Sequence, residues 1–229
     1  MPQRFAIYYA PDVHHALWDR ATIWLGRDPA TSALLDGAVA GIERTRLLNL
    51  TQSAGRYGFH ATLKPPMALA EGQSEADLRA ALAGFAGAMA PVDLGPLHIA
   101  DLDGFLALVP QDGNDALQDL ASHVVEQFEP FRAPLDRRSF AKRAKPGLSE
   151  RQMELLEAYG YPYVFDQFQF HMTLTDRLEA EDSREMLAAA QTWFGPVLDE
   201  KVQLDRLVLF HEPESGKPFR RIAEFPLKG

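Results

Sequence analysis

Two short segments of the chain place a threonine two positions after a histidine. Residues 59–63 read Phe-His-Ala-Thr-Leu, and residues 170–174 read Phe-His-Met-Thr-Leu. On a β-strand, alternate side chains point to the same face, so each histidine lies beside its threonine and the apolar residues face the other way. We therefore predict two strands, over residues 57–66 and 168–175, that each present an imidazole and a hydroxyl group on one side.

These residue types suit the cleavage of a phosphodiester bond. Histidine titrates near neutral pH, so one imidazole can activate water while the other protonates the leaving oxygen. Threonine hydroxyl groups can hold the non-bridging oxygens on which negative charge develops. This chemistry requires no metal and no other cofactor. A zinc site built on His60 and His171 would need further ligands from elsewhere, because neither segment supplies a carboxylate or a cysteine.

Composition and charge narrow the class of protein. The chain has 229 residues, of which 46% are apolar and 24% charged, as in an ordinary globular protein. No apolar run approaches the roughly 18 residues of a membrane span, and the N-terminal segment turns polar too soon for a signal peptide. Cysteine is absent, which excludes disulfides and thiolate chemistry. We expect a cytoplasmic protein without membrane association and with no assigned oligomeric state.

The formal net charge of −9 disfavours a general nucleic-acid surface. Residues 132–151 depart from this balance, with seven basic side chains against Asp136 and Glu150. This basic segment is either a solvated surface or a segment that recruits an anion, such as a small phosphorylated substrate. Arg143 is its best candidate for a substrate contact, because residues 139–145 must pass near a cleft if the two halves of the chain pack together.

The two halves of the chain repeat the same order of predicted elements. Each has a strand, a helix, a strand with the His-x-Thr segment, a helix and two further strands, with residues 105–109 shared between the two counts. We interpret this as an internal duplication. Hairpins mixed with helices predict an α+β fold: bilobal, with two small antiparallel sheets related by a pseudo-twofold axis, helices on their outer faces and the active site in the central cleft.

We expect one bilobal domain over residues 1–229, with approximate lobes at 1–104 and 105–229 and with strands that can be exchanged between them. Two more residues are candidate substrate contacts. Lys64 falls on the His60 face by alternation, so it can meet a phosphate, although a surface lysine is the rival interpretation. Tyr8, on the first strand, either stacks on a base or sugar or fills the core.

The paired segments resemble the signature of the 2H phosphoesterase superfamily. Three longer strings, at residues 56–66, 160–164 and 217–220, resemble the poorly characterised branch often encoded beside phosphonate-degradation genes. The resemblance spans nearly the whole chain. It implies a bilobal fold and a metal-independent reaction on a cyclic phosphodiester in the cleft. It also implies that His60 and His171 are catalytic and that Thr62 and Thr173 bind the phosphate.

The favoured hypothesis is a phosphodiesterase that opens a small cyclic phosphate, such as a cyclic nucleotide or a ribosyl cyclic phosphate arising in phosphonate breakdown. One alternative is a non-catalytic protein that binds a phosphorylated metabolite or nucleotide through the same four side chains. Another is the processing of RNA ends that carry a 2′,3′-cyclic phosphate. The acidic balance disfavours this last function, while the basic segment keeps it open.

Overall fold

The computed structural model describes residues 3–229. Its helices are α1 (Ala16–Leu25), α2 (Arg44–Leu50), α3 (Gln52–Tyr57), α4 (Glu75–Ala88), α5 (Asp115–Gln127), α6 (Arg137–Arg143), α7 (Glu150–Tyr159) and α8 (Ala180–Leu198). Its strands are β1 (Arg4–Tyr9), β2 (Ala61–Met67), β3 (Val92–Gly95), β4 (Leu97–Asp101), β5 (Leu106–Pro110), β6 (Met172–Thr173), β7 (Val202–Leu204), β8 (Arg206–Glu212) and β9 (Arg220–Pro226).

The strands form two antiparallel sheets of unequal size. The large sheet has the order β4-β5-β6-β2-β1-β8-β9, and β3 pairs with β7 in the small one. The predicted α+β class with two antiparallel sheets is confirmed. The division of strands differs from the expected pair of small sheets, because β2 and β6, which follow the two histidines, are neighbours in one sheet.

The boundary between β2 and β6 divides the large sheet into three strands on the β6 side and four on the β2 side. Strand β1 flanks β2 on one side, and β5 flanks β6 on the other. The outer strands come from the opposite half of the chain. Strands β8 and β9, from the end of the chain, lie beyond β1, while β4, from the first half, lies next to β5. This arrangement brings residues far apart in the chain to the middle of one sheet.

The core lies on both sides of the central strands. Strand β1 is apolar after its first residue, and Phe5 to Tyr9 are at most 1% exposed, as expected for a strand covered on both faces. Helix α1 contributes Trp18 and Trp24 to this core. The indole Nε1 of Trp24 donates a hydrogen bond of 2.8 Å to the carbonyl of Leu174, which fixes α1 beside the second histidine segment.

The first histidine strand begins later than the sequence predicts. Residues 52–57 form α3, which ends at Gly58 with φ of 82°, and β2 starts at Ala61. The cause is a distant cap: the carboxylate of Asp176 accepts hydrogen bonds from the backbone amides of Ser53 (2.8 Å) and Ala54 (3.0 Å) in the first turn of α3. A local pattern of alternating residues cannot reveal this contact.

The second histidine strand is shorter than predicted. Strand β6 covers Met172–Thr173 alone, and a 3₁₀ turn at Phe165–Gln167 precedes it. Met172 nevertheless pairs with both β2 and β5, and Thr173 pairs with β5. None of the helices within residues 3–229 combines the length and the apolar character that crossing a bilayer demands.

Candidate active site

Two adjoining cavities open over the boundary between β2 and β6. The larger encloses about 590 Å³ and is lined by His60, Thr62 and Thr173, among others. The second encloses about 360 Å³ and is lined by His171. Thr62, Phe105, Tyr161 and Arg177 line both cavities, so the two are parts of one cleft.

The register of the sheet brings the four predicted residues together. Ala61 pairs with Met172 in the antiparallel ladder. In that register His60 comes opposite Thr173, and Thr62 comes opposite His171. Opposite residues on one face have Cβ atoms about 4.5–5.5 Å apart. In this register the two histidines and two threonines form a square around the pair of Ala61 and Met172.

Both imidazole rings are oriented by the same local hydrogen bond. Nδ1 of His60 lies 2.7 Å from the carbonyl oxygen of Gly58, and Nδ1 of His171 lies 2.8 Å from that of Gln169. A carbonyl only accepts hydrogen bonds, so each Nδ1 carries the proton and each neutral ring keeps the Nε2 lone pair. Nε2 of His60 lies 3.2 Å from Oγ1 of Thr62, whose hydroxyl is the donor.

Burial weakens the basicity of both rings. It lowers the pKa of His60 to about 4; the Gly58 carbonyl opposes this shift, and the charge of His171 adds to it. Burial likewise lowers the pKa of His171 from its ordinary value, opposed by the Gln169 carbonyl. Both histidines are therefore largely neutral at pH 7 in the empty cleft, and the influence of His171 on His60 follows from their proximity.

Tyr8 and Arg143 both line the larger cavity. Tyr8 is 1% exposed, and its ring stacks on that of His60 at a centroid distance of 3.7 Å and an angle of 19°. The sequence leaves open whether Tyr8 stacks on a ligand or fills the core. In the structure its side chain is buried and forms part of the wall of the cleft. Arg143 donates hydrogen bonds to the carbonyl oxygens of Pro66 (2.9 Å) and Gly160.

The placement predicted for Lys64 is wrong. Tyr8 pairs with Thr62 but Ile7 pairs with Lys64, so Leu63 is an extra residue that forms a β-bulge. Beyond the bulge Lys64 no longer follows the His60 face. Its ammonium group is buried and donates to the backbone carbonyl of Val125 (2.9 Å) and to the Glu129 carboxylate (2.7 Å).

Several residues of the cleft escape sequence reasoning. Tyr57, which alternation assigns to the core, is half-buried and lines the larger cavity, as does Arg4. Tyr161 lines both cavities, and burial raises its pKa to about 12. The one signal for Tyr161 was its position in the string at 160–164. Nothing local distinguishes Arg4, whose guanidinium is directed by a contact to Glu212.

Within residues 3–229, no cluster of three or more histidine, aspartate or glutamate side chains is arranged to hold a metal ion.

The fold and the cleft define an α+β protein with two matched His-x-Thr segments that face one cleft. The model of the family described as "Protein of unknown function (DUF1045)" matches residues 62–220, and the chain belongs to that family.

Two curated relatives are similar along almost the whole of this chain. One, from Janthinobacterium sp. (strain Marseille), is named "Ribose 1,5-bisphosphate phosphokinase PhnN" and is 37% identical over 232 residues, covering 99% of this chain and 51% of the relative. Another of the same name, from Laribacter hongkongensis (strain HLHK9), is 38% identical over 221 residues, covering 95% and 50%. The chain thus spans about half the length of these relatives.

Solved structures show a weaker likeness. A crystal structure described as a phosphoesterase aligns over all of both chains with a TM-score of 0.44 and 15% identity. The E. coli protein LigT in complex with 3′-AMP aligns over the same extent, with a TM-score of 0.44 and 14% identity.

Proposed function

We propose that this chain is a phosphodiesterase that hydrolyses a small cyclic phosphodiester without a metal ion. The observation that carries the proposal is the square of His60, Thr173, His171 and Thr62, set by the pairing of Ala61 with Met172. Simple binding of a phosphate needs hydrogen-bond donors. Two imidazole rings that are held by the same hydrogen bond and have lowered pKa values can also transfer protons, which simple binding does not require.

In the proposed reaction, Nε2 of neutral His60 takes a proton from water as the water oxygen attacks phosphorus. Protonated His171 gives its Nε2 proton to the leaving ring oxygen as the bond from phosphorus to that oxygen breaks. The products are a phosphate monoester and a free hydroxyl group. Proton exchange with solvent then resets both histidines. Thr62 and Thr173 donate hydrogen bonds to the non-bridging oxygens, on which negative charge increases.

The unequal surroundings of the rings support this division of roles. His60 is packed against Tyr8, and its pKa of about 4 keeps it neutral and able to accept a proton. His171 contacts Phe105 at a ring-centroid distance of 5.9 Å and lies in the second cavity. An anionic phosphate between the rings raises the pKa of both, which allows His171 to carry the proton that it donates.

The proposed substrate is a phosphorylated ribose derivative, either a ribosyl cyclic phosphate or a cyclic nucleotide. The curated relatives are named for ribose 1,5-bisphosphate, and a cavity of about 590 Å³ accommodates a molecule of this size. The resemblance to the branch encoded beside phosphonate-degradation genes supports a role for this reaction in phosphonate breakdown. The phosphokinase name belongs to proteins about twice as long as the shared region, and we do not extend that activity to this chain.

The test is turnover of ribosyl cyclic phosphate and of nucleoside 2′,3′-cyclic phosphates, followed by ³¹P NMR in the presence of EDTA. We expect conversion to a phosphate monoester that EDTA does not inhibit. If cyclic phosphates bind in calorimetry but are never converted, the chain is a binding protein and the proposal is wrong. Activity that disappears with EDTA and returns with a divalent metal would contradict the metal-free mechanism.

A further inference from the structure

The larger cavity extends beyond His60 to polar side chains that the proposed hydrolysis does not use. Arg4, Tyr57 and Arg143 line this cavity and not the second one, whereas His171 lines the second cavity and not this one. The group therefore lies at the end of the cleft away from His171. These side chains share the larger cavity with His60, Thr62 and Thr173, so they can contact another part of a substrate bound there.

The charge of Arg143 has no counter-ion among the described residues. Its guanidinium donates to the carbonyl oxygens of Pro66 and Gly160, which orient the side chain but carry no net charge. A guanidinium has five N–H donors, so donors remain for a ligand. Burial lowers the pKa of Arg143, and the charges of Arg4 and Arg132 act in the same direction. An anion placed beside Arg143 would relieve this unfavourable environment.

Arg4 adds a second cation that is only partly neutralised. Its Nε lies 2.5 Å from the Glu212 carboxylate, which also pairs with Arg56 at 2.9 Å. One buried carboxylate thus serves two guanidinium groups and leaves an excess of positive charge. Glu212 does not line the larger cavity; the carboxylate that does, Asp176, has both of its oxygens bonded to amides of α3.

We propose that this end of the cleft binds a second phosphate group, a phosphate monoester carried by the same substrate as the cyclic phosphodiester. The inference rests on the proposed function and adds to it the class of substrate. Arginine forks match phosphate oxygens in a bidentate geometry. The hydroxyl groups of Tyr57 and Tyr161 border the same space and supply neutral donors. A phosphate monoester carries about two negative charges. These match the positive charge of Arg143 and the one positive charge left over where Arg4 and Arg56 share the Glu212 carboxylate.

Matched substrates test the proposal directly. The probes are adenosine 2′,3′-cyclic phosphate and ribose 1,2-cyclic phosphate, each with and without a phosphate at the 5-position of the ribose. A charge-assisted contact of this kind predicts a value of kcat/KM about 10- to 100-fold higher for the 5-phosphorylated form of at least one pair. A ratio near one for both pairs in an active enzyme would overturn the second-phosphate site and leave the proposed function standing.

Variants locate the effect. In Arg143→Gln we expect the preference for the 5-phosphorylated form to fall towards one, because the loss of kcat/KM is larger for that form than for its partner. Arg137→Gln is the matched control: this arginine begins the same helix, is exposed and lies outside both cavities. The control should keep the full preference. An unchanged preference in Arg143→Gln would contradict the assignment.

Calorimetry with ribose 5-phosphate separates this inference from the proposed function. This ligand has the monoester but no cyclic phosphate. It should bind the wild-type chain and His171→Ala alike, and about 10-fold or more weakly to Arg143→Gln. If no cyclic phosphate is ever hydrolysed but this pattern holds, the phosphodiesterase proposal fails and the second-phosphate site stands. If ribose 5-phosphate binds with no dependence on Arg143, the site fails.

Discussion

His60 and His171 are held by the same local hydrogen bond but in unequal surroundings. Each Nδ1 faces the carbonyl oxygen two residues before it. His60, however, is covered by the stacked ring of Tyr8 and bonded through Nε2 to Thr62, and its pKa falls to about 4. His171 meets Phe105 edge-on at the start of a two-residue strand. Duplicated segments thus give two rings with the same local hydrogen bond and different surroundings.

The largest expected effect comes from removing either ring. His60→Ala and His171→Ala should each lower kcat by about 10²- to 10⁴-fold, because each ring carries one of the two proton transfers. Steady-state rates on the best cyclic phosphate provide the measurement, with circular dichroism as the control for folding. A variant that retains more than about a tenth of the wild-type kcat would show that its ring is not an acid or base in the reaction.

Threonine substitutions sharpen the comparison between the two segments. Thr62→Val and Thr173→Val keep the side-chain shape and remove a hydroxyl group that we propose binds the phosphate. Each should lower kcat/KM by about 10- to 100-fold. Equal rates for wild type and both valine variants would contradict the proposed contacts.

The pH profile tests the lowered pKa of both rings. The pKa of His60 is about 4 and that of His171 is shifted below the ordinary 6.5. The base must be neutral and the acid protonated, and kcat/KM reports the pKa values of the free enzyme. As the pH increases, kcat/KM should therefore rise near pH 4, where His60 loses its proton. It should then decrease with a midpoint below pH 6.5, where His171 loses its proton. Rates measured from pH 3.5 to 9 on one substrate give the profile. A plateau that extends above pH 8 would be incompatible with these values.

Lys64 and Thr175 occupy matching positions, four residues after each histidine, and both side chains are buried. Lys64 is buried in its contacts with Glu129 and Val125, while Thr175 lines the larger cavity. Lys64→Met should lower the free energy of unfolding by about 1–3 kcal/mol, because it leaves buried acceptors without their donor. It should change kcat/KM by less than about twofold.

Urea unfolding and steady-state kinetics on the same preparation of Lys64→Met provide both values. A large loss of activity with unchanged stability would return Lys64 to the cleft and contradict the bulge at Leu63 as the reason for its position.

The smallest expected effect concerns the cap of α3. Asp176→Asn retains one acceptor oxygen where the carboxylate has two, bonded to Ser53 and Ala54. The free energy of unfolding should fall by about 0.5–2 kcal/mol, in the range of helix-cap losses. Thermal denaturation measures it, and Asp199→Asn, at the end of α8, is a control with the same chemical change. An equal effect in both variants would argue against a specific cap.

Residue patterns along the chain predict the features that depend on neighbouring residues alone. The two histidine segments, their shared faces and the α+β class follow from residue alternation and from the repeated order of elements. The position of Lys64 could not be predicted, because the bulge appears only when β2 is paired with β1. The helix before Gly58 depends on Asp176, far along the chain. Arg4 and Tyr161 reach the cleft through strand order and a loop, and neither has a periodic signal.

The central claim is that His60 and His171 act on one phosphate. Titration of the ¹⁵N-histidine-labelled protein with inorganic phosphate, followed by NMR of the ring nitrogens, tests it most directly. We expect the Nε2 signals of both rings to shift with one common Kd, and the pKa of both to rise when phosphate is bound. His171→Ala should remove one set of shifts and weaken the other. Shifts at one ring alone, or two different Kd values, would contradict a shared phosphate site.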